Sequence, residues 1–498
     1  MNHIISRVPR YLAALLFSLL FPGIASAIVV FPVVTNTNDT GSGSLRAAIT
    51  AANANGADGA IINFDIGSGC GPHVIHLNSA LPDIKFETHI EGFSQTGASK
   101  NSKTSYTEND ETICIVIAGD NQVDDAFTVP NTVADGMTLS VLGVAFSGFT
   151  HSAINLRGGS AHLVAGVRTG GTLGGFNMDA VGYGVILAAG VHGAQIGGPD
   201  WHGQNQFGDL TNNAIYIASS NGSAKAAHDN AIEYNNVGFV YEGTTETKLP
   251  TLGSGIAVGG KSNALFYNSI RYSGAAGVHI SNADATLNGL ALSGTSFNEG
   301  DGVLIDDDAS DNFVQNTLIS SNGGAGVRVV NGQGNDLTFN NMSGNAGLGI
   351  DLAAPGVTAN DNDSQQPAPD YANRGLNFPV LTSAKGGHTG VVTGTLMTIP
   401  GTYLIDLQVT TTCDPSGHGE GQNGPDYANG VSGSVTVPNI TVQGQGSVAF
   451  SLPVYFFSYP SQTFFVTALV RDAADNTSEY AACIPYVDDT IFFNNFGN

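Results

Sequence analysis

The sequence predicts an all-β protein: a solenoid of stacked short-stranded coils, a parallel β-helix, followed by a small β-sandwich. Three observations carry that reading. Of 498 residues only 11% are Asp, Glu, Lys or Arg and 66 are glycine, whereas an ordinary soluble domain carries roughly 25% charged residues. Short apolar tetrapeptides recur every 22 to 25 residues through the middle of the chain, the self-similarity of a repeat architecture. Asparagine stands four residues ahead of successive tetrapeptides, at Asn298, Asn322 and Asn345, with Ser273 in that place one coil earlier. Asparagine tolerates left-handed backbone and bonds its own turn, so it suits a sharp corner.

Residues 1–27 read as a secretory signal. Arg7 and Arg10 precede an apolar run from Tyr11 to Ile24, and Ala25-Ser26-Ala27 supplies the cleavage site, a run shorter than the roughly 20 apolar residues that span a bilayer. The mature protein is therefore expected outside the cytoplasm. A cap follows at about residues 30–60. Ser44 is placed to cap a short amphipathic helix with Leu45, Ala48, Ile49 and Ala52 on one face, suited to cover the apolar end of the first coil.

The solenoid itself is assigned to residues 28–355. Its regular strand openings are Gly255 to Val258, Gly277 to Ile280, Gly302 to Ile305, Gly326 to Val329 and Gly349 to Leu352. Earlier, looser copies begin at Ala153, Gly184 and Ala214. The second and fourth residues of each copy are apolar and the third varies, the alternation of a strand with one buried face. One strand per repeat cannot bury itself, but stacked coils about 4.8 Å apart can. Second strands are expected over 312–319 and 335–342. Gly166-Val167 with Gly171-Thr172 is echoed 72 residues later by Gly238-Phe239 with Gly243-Thr244. Residues 196–205 form an inserted loop holding Trp201, the only tryptophan.

The run Gly41-Ser42-Gly43-Ser44-Leu45-Arg46-Ala47-Ala48-Ile49, then Leu81-Pro82 and Ile90-Glu91-Gly92-Phe93-Ser94-Gln95-Thr96-Gly97-Ala98, closely resembles the N-terminal part of secreted bacterial right-handed parallel β-helix proteins of the pectate-lyase-like fold. The resemblance covers roughly residues 30–355 and implies the fold rather than an activity. Residues 356–375, with Asp361 to Asp370 polar and proline-bearing, read as a linker. Longer alternating strands at Val391 to Thr398, Tyr403 to Val409, Ser447 to Leu452 and Phe464 to Val470 place a β-sandwich at 376–486. Cys413 to Gln422 and Val470 to Glu479 are similar to segments of the Ig-like module that often follows such β-helices. Residues 487–498 look like the short aromatic tails of many secreted proteins of that kind, without the acidic final residue expected there.

Four cysteines fit an oxidising compartment and allow three pairings; proximity favours Cys70 with Cys114 and Cys413 with Cys483. A formal charge of −25, from 41 acidic against 16 basic residues, repels phosphate backbones and anionic bilayers, so nucleic acid is excluded as a partner.

The expected function is contact with an extended polysaccharide or a cell-surface component, without catalysis; the alternative is a polysaccharide lyase or glycoside hydrolase. Enzymes of the resembled fold that cleave uronic-acid polymers use clustered aspartates with a nearby Arg or Lys. The strand register predicts one outward column of Tyr216, Ala257, His279, Leu304, Arg328 and Asp351. Arg328 beside Asp351 reads first as a surface ion pair, worth at most about 1 kcal/mol, and second as a catalytic pair. Asp306, Asp307 and Asp308 form an acidic turn, with Asp307 expected between Asn282 and Asn331, and are the candidate calcium ligands. Trp201 and His202 are candidate sugar contacts with His279. Asp200 or Asp209 are candidate acid and base beside His202 or His192.

Overall fold

A computed structural model describes residues 29–56, 59–105, 107–222, 225–361, 371–422, 437–442, 446–455 and 464–488. The segment read as a signal, residues 362–370 of the linker and residues 489–498 of the tail lie outside the described residues, while Val487–Asp488 form a strand that pairs with Lys385 and Gly386. Helix α1, Leu45–Asn55, starts where the sequence places it: the Ser44 hydroxyl accepts from the Ala47 amide at 3.2 Å. Leu45, Ala48, Ile49 and Ala52 are buried in the solenoid core. The chain then winds as a parallel β-helix.

Each regular coil is a triangle of three short strands. One coil runs through Ala264–Phe266 on a first face, Ser269–Arg271 on a second and Val278–Ser281 on a third. The next repeats it at Gly289–Ala291, Gly294–Ser296 and Val303–Asp306, all pairing in parallel with their predecessors. The first face is a sheet of ten strands, Val33–Val34 to Phe313–Gln315. The other two faces join in one 17-stranded sheet, because Ile115–Val129 and Val144–Leu156 run unbroken from one face to the other.

The corners explain the composition. Between first and second faces a residue of left-handed backbone precedes an amide or hydroxyl side chain: Tyr234-Asn235, Tyr267-Asn268, Leu292-Ser293, Asn316-Thr317 and Phe339-Asn340. The same pair recurs at Tyr272-Ser273, Phe297-Asn298 and Ser321-Asn322, and again at Asp229-Asn230, Ser262-Asn263, Leu287-Asn288 and Asp311-Asn312. The stretches 312–319 and 335–342 are accordingly not continuous strands. The corner at Asn316 breaks the first into Phe313–Gln315 and Leu318–Ser320, and the second yields only Asn341–Ser343.

The buried asparagines bond along the axis as ladders. Asn298 donates its amide nitrogen Nδ2 to Asn322 Oδ1 and Asn322 to Asn345 Oδ1, each at 2.9 Å. Asn230, Asn263, Asn288, Asn312 and Asn335 form a second ladder. The 72-residue echo marks two small antiparallel hairpins that stand off the coils, Thr172–Leu173 with Phe176–Asn177 and Phe239–Glu242 with Thr245–Lys248.

The C-terminal region forms two four-stranded sheets about a core that includes Val392, Leu396, Ile405, Leu407, Val466 and Ala468. Thr389–Thr398, Gly401–Thr410, Gly446–Tyr455 and Phe465–Arg471 coincide with the alternating strands read from the sequence. Both disulfides pair as proximity suggests, Cys70 with Cys114 and Cys413 with Cys483.

This region closes the last coil. Glu420 accepts from the Gly344 and Asn345 amides, which places its carboxylate on the next rung of the Asn298–Asn345 ladder. Asn373 does the same for Asn335 at 3.0 Å, and Glu479 accepts from Leu352 and Thr358. Leu469 and Tyr480 complete the solenoid's apolar core.

Candidate functional site

The outward column on the third face forms as its spacing predicts. Tyr216, Ala257, His279, Leu304, Arg328 and Asp351 are consecutive register partners. The chemistry at its end differs from a surface ion pair. Asp351 is only 4% exposed and bonds the Gly356 amide through Oδ2. No ion pair joins it to Arg328, whose Nε is itself buried without a partner, as is Asp351 Oδ1. Burial, opposed by the Gly356 bond and by Arg328, pushes the Asp351 carboxyl up to about 6.

The carboxylates of the acidic turn diverge, and Asp307 bonds neither Asn282 nor Asn331. Asp306 meets His279 Nε2 at 2.9 Å, Asp307 accepts from the Ser281 hydroxyl at 2.9 Å, and Asp308 accepts from Asn331 Nδ2 at 3.1 Å. Among the described residues no group of three or more His, Cys, Asp or Glu side chains is arranged to hold a metal ion.

The inserted loop does not gather His192 and Asp209 around Trp201. Asp200 caps a single 3-10 turn over Trp201–Gly203 and contacts His202 at 3.0 Å. Asp209 accepts from the Gly171 amide. His192 pairs with Asp135 at 3.3 Å and stacks on His228, with centroids 4.9 Å apart.

Two constellations escape the spacing argument. The first lies at the corner columns that border the second face. Trp201 meets Tyr234 edge to face with centroids 4.8 Å apart and planes at 74°. Tyr234 stacks on Tyr267 at 4.9 Å and 12°, and the register continues to Leu292. Across the second face, Tyr272 stacks on Phe297 at 5.8 Å. The floor between these two rails carries Ser269 and Arg271 on one rung and Gly294 and Ser296 on the next. Phe297 is 51% exposed and Leu292 48%. Five of these side chains, those of Tyr234, Tyr267, Leu292, Tyr272 and Phe297, sit on left-handed backbone, where a bulky residue is disfavoured by about 1 kcal/mol or more. Glycine or asparagine would serve such corners better, so local folding alone does not account for these residues. At these five corners a tyrosine, phenylalanine or leucine directly precedes the Asn or Ser, whereas Asp or Ser takes that place at Asn230, Asn263, Asn312 and Asn322.

The second constellation is on the third face. Asp125 accepts from the Ser152 hydroxyl at 2.5 Å and from Asn155 Nδ2 at 3.0 Å, and meets His151 Nδ1 at 2.7 Å. Tyr183 packs edge-on to His151 at 5.8 Å, and burial raises its hydroxyl above the usual range. A carboxylate that fixes a half-exposed imidazole is the minimal arrangement for general acid–base work. Asp125 falls within a long strand without glycine-opened repeats, where the spacing argument had no register to apply.

Residues 250–368 match the family model described as a right handed beta helix region. No curated protein matches the chain in sequence. Among solved structures, the A-module of the mannuronan C-5 epimerase AlgE4 from Azotobacter vinelandii is similar at 15% identity and TM-score 0.33, over 63% of this chain and 76% of that one. A tailspike protein, gp49 of the Acinetobacter baumannii bacteriophage Fri1, a capsular polysaccharide depolymerase, aligns at 8% identity and TM-score 0.24, over 92% of this chain and 87% of that one. The tailspike protein of the E. coli bacteriophage HK620 aligns at 9% identity and TM-score 0.21, over 88% and 92% respectively. Among the described residues no helix is long and apolar enough to cross a membrane.

Proposed function

We propose that this is a secreted or cell-surface protein whose β-helix shaft binds an extended, uncharged polysaccharide along its second face, without catalysis. The observation that carries this is the pair of corner rails, Trp201-Tyr234-Tyr267-Leu292 and Tyr272-Phe297, five of their six side chains set on unfavourable backbone, around a floor of Ser269, Arg271, Gly294 and Ser296. Sugar rings present apolar faces and hydroxyl edges, which aromatic rings and serine hydroxyls complement. The charge of −25 disfavours a polyanion.

Because Trp201 is the only tryptophan, its emission reports on this site alone. Titration with neutral β-linked oligosaccharides is expected to shift it saturably, while polygalacturonate and alginate leave it unchanged. Trp201→Ala, followed by calorimetry, is expected to weaken binding about tenfold, the scale of one lost stacking contact. A saturable response to the polyanions with none to neutral glycans would overturn the reading.

A second reading, a glycan-cleaving enzyme, is favoured by the Asp125–His151 pair. New reducing ends or unsaturated products from any polysaccharide, abolished by His151→Ala, would establish it and remove the non-catalytic reading.

A further inference from the structure

Beneath the segment Thr107–Thr112 the second face changes character. Its outward row is Arg168, Gln206 and Asn236, in register on successive rungs and all buried. Thr112 exchanges backbone bonds of 3.1 and 2.8 Å with Ser99, and three further sets of bonds hold the segment to the face and the hairpin. Asn109 exchanges backbone bonds of 2.9 and 2.7 Å with Gly243 at the tip of the Phe239–Lys248 hairpin. Asn109 Nδ2 donates to Gln204 Oε1 at 3.0 Å. Gln206 Nε2 donates to Glu111 Oε1 at 2.8 Å.

Five buried polar atoms at this place nevertheless lack a partner: Glu111 Oε2, Arg168 Nε, Gln204 Nε2 and both amide atoms of Asn236. Unbonded buried polar atoms are rare in a native fold, and a cluster of them calls for a reason. Nothing of the kind occurs along the open rungs at Gly294–Ser296 and Leu318–Ser320 apart from the Thr295 hydroxyl.

We propose that Thr107–Thr112, with the tip of the Phe239–Lys248 hairpin, is a pH-released lid over a polar binding row on the second face. The row offers donors and acceptors together, as a polyhydroxylated ligand needs, and its rungs are those beside which Trp201 and Tyr234 stand. Opening the lid would extend the exposed face toward the N-terminal coils.

The trigger is Glu111. Facing it are Asp110 on its own segment and Arg168 on the second face. The hairpin brings Glu242, which pairs with Arg168 at 3.0 Å, and Glu246, which pairs with Arg271 at 2.7 Å; Lys103 lies 3.6 Å from Asp110. No ion pair reaches Glu111 among the described residues, and burial holds its carboxyl up at about 7. The closed lid keeps a proton that an open one, with Glu111 near 4.5, releases. Opening therefore becomes easier as pH rises from about 4.5 to about 7, and levels off above.

Hydrogen exchange on the full chain between pH 4.5 and 8.5, corrected for the intrinsic pH dependence of exchange, tests this. The amides of residues 107–112 are expected to lose protection on the order of a hundredfold over the lower part of that range, while those of Val185–Leu187 stay constant. Glu111→Gln keeps an acceptor for Gln206 and cannot ionise, so its lid should stay protected throughout. An unchanging wild-type lid overturns the proposal, as does an equal response in the variant. Should the variant fail to fold, the wild-type profile alone decides. No saccharide enters this experiment, so its outcome is independent of the binding reading above.

Discussion

At the scale of single residues, the informative feature is a conflict between side chain and backbone. Phe297 is half exposed, stacks on Tyr272, and holds a φ of 58° that asparagine adopts at lower cost. A residue selected for the corner alone would not be phenylalanine. Phe297→Asn is therefore expected to raise stability by about 0.5–1 kcal/mol, read as a higher melting temperature, while weakening any ligand held by the rails. A loss of stability instead would show that the stack with Tyr272 outweighs the backbone strain, and would return the rails to a structural role. The sequence displayed the asparagines of these corners because their spacing is regular. The residues ahead of them were not legible as a group, since Tyr, Leu, Phe, Ser and Asp share no chemistry and only the left-handed φ unites them.

At the scale of the repeat, the same asparagines are the structural element. Asn322 Oδ1 accepts from both the backbone and the side-chain nitrogens of Asn298, and its Nδ2 serves Asn345 Oδ1 and the Thr295 carbonyl. Alanine there would leave donors of one rung and an acceptor of the next buried and unbonded, at a cost of about 2–4 kcal/mol. Asn322→Ser should cost roughly half as much, because Ser293 already fills a rung with a hydroxyl that accepts from the Asn268 amide at 3.1 Å. Urea unfolding of the two variants checks the order; equal costs would show that the ladder contributes through volume and not through its bonds. The strand register was readable for a related reason: glycine and asparagine repeat at 22–25 residues from Gly255 onward, so one alignment fixes every third-position neighbour from Tyr216 to Asp351. Side-chain outcomes depended on more than register. Asp351 is buried because the chain from Leu352 onward folds back over it toward Glu479, and the acidic turn diverges because Asp306 and Asp307 turn to the preceding rung, at His279 and Ser281, while Asp308 turns to the following one, at Asn331.

For the whole molecule, the decisive fact is that the C-terminal sheets complete the solenoid with carboxylates. The last coil of any stacked repeat presents amide donors and an apolar floor to solvent, and here Glu420, Glu479 and Asp406 accept from the amides of residues 344, 345, 352, 358 and 339. Burial dominates at these acids: it lifts Glu479 to about 7 and Asp406 to about 6, and raises Glu420, against the bonds each accepts. Acids raised by folding bind protons more tightly in the native state, so their contribution to stability is complete below the unfolded values near 4 and is lost as pH climbs toward 7. The melting temperature is accordingly expected to fall between about pH 4.5 and 7 and to level off above. General repulsion in a chain of charge −25 bends the curve the same way, but it is screened by salt, whereas buried groups are not. The fall should therefore persist in about 0.5 M salt, where the Debye length drops below the roughly 8 Å of physiological conditions. Glu479→Gln should flatten part of it while lowering the acid-side melting temperature, because the amide can accept from only one of the two backbone donors with its single oxygen. A melting temperature that rises across this window, or a slope that vanishes in salt, would mean that the cap acids are ionised in the native state and that the closure of the last coil rests on its apolar contacts through Leu469 and Tyr480.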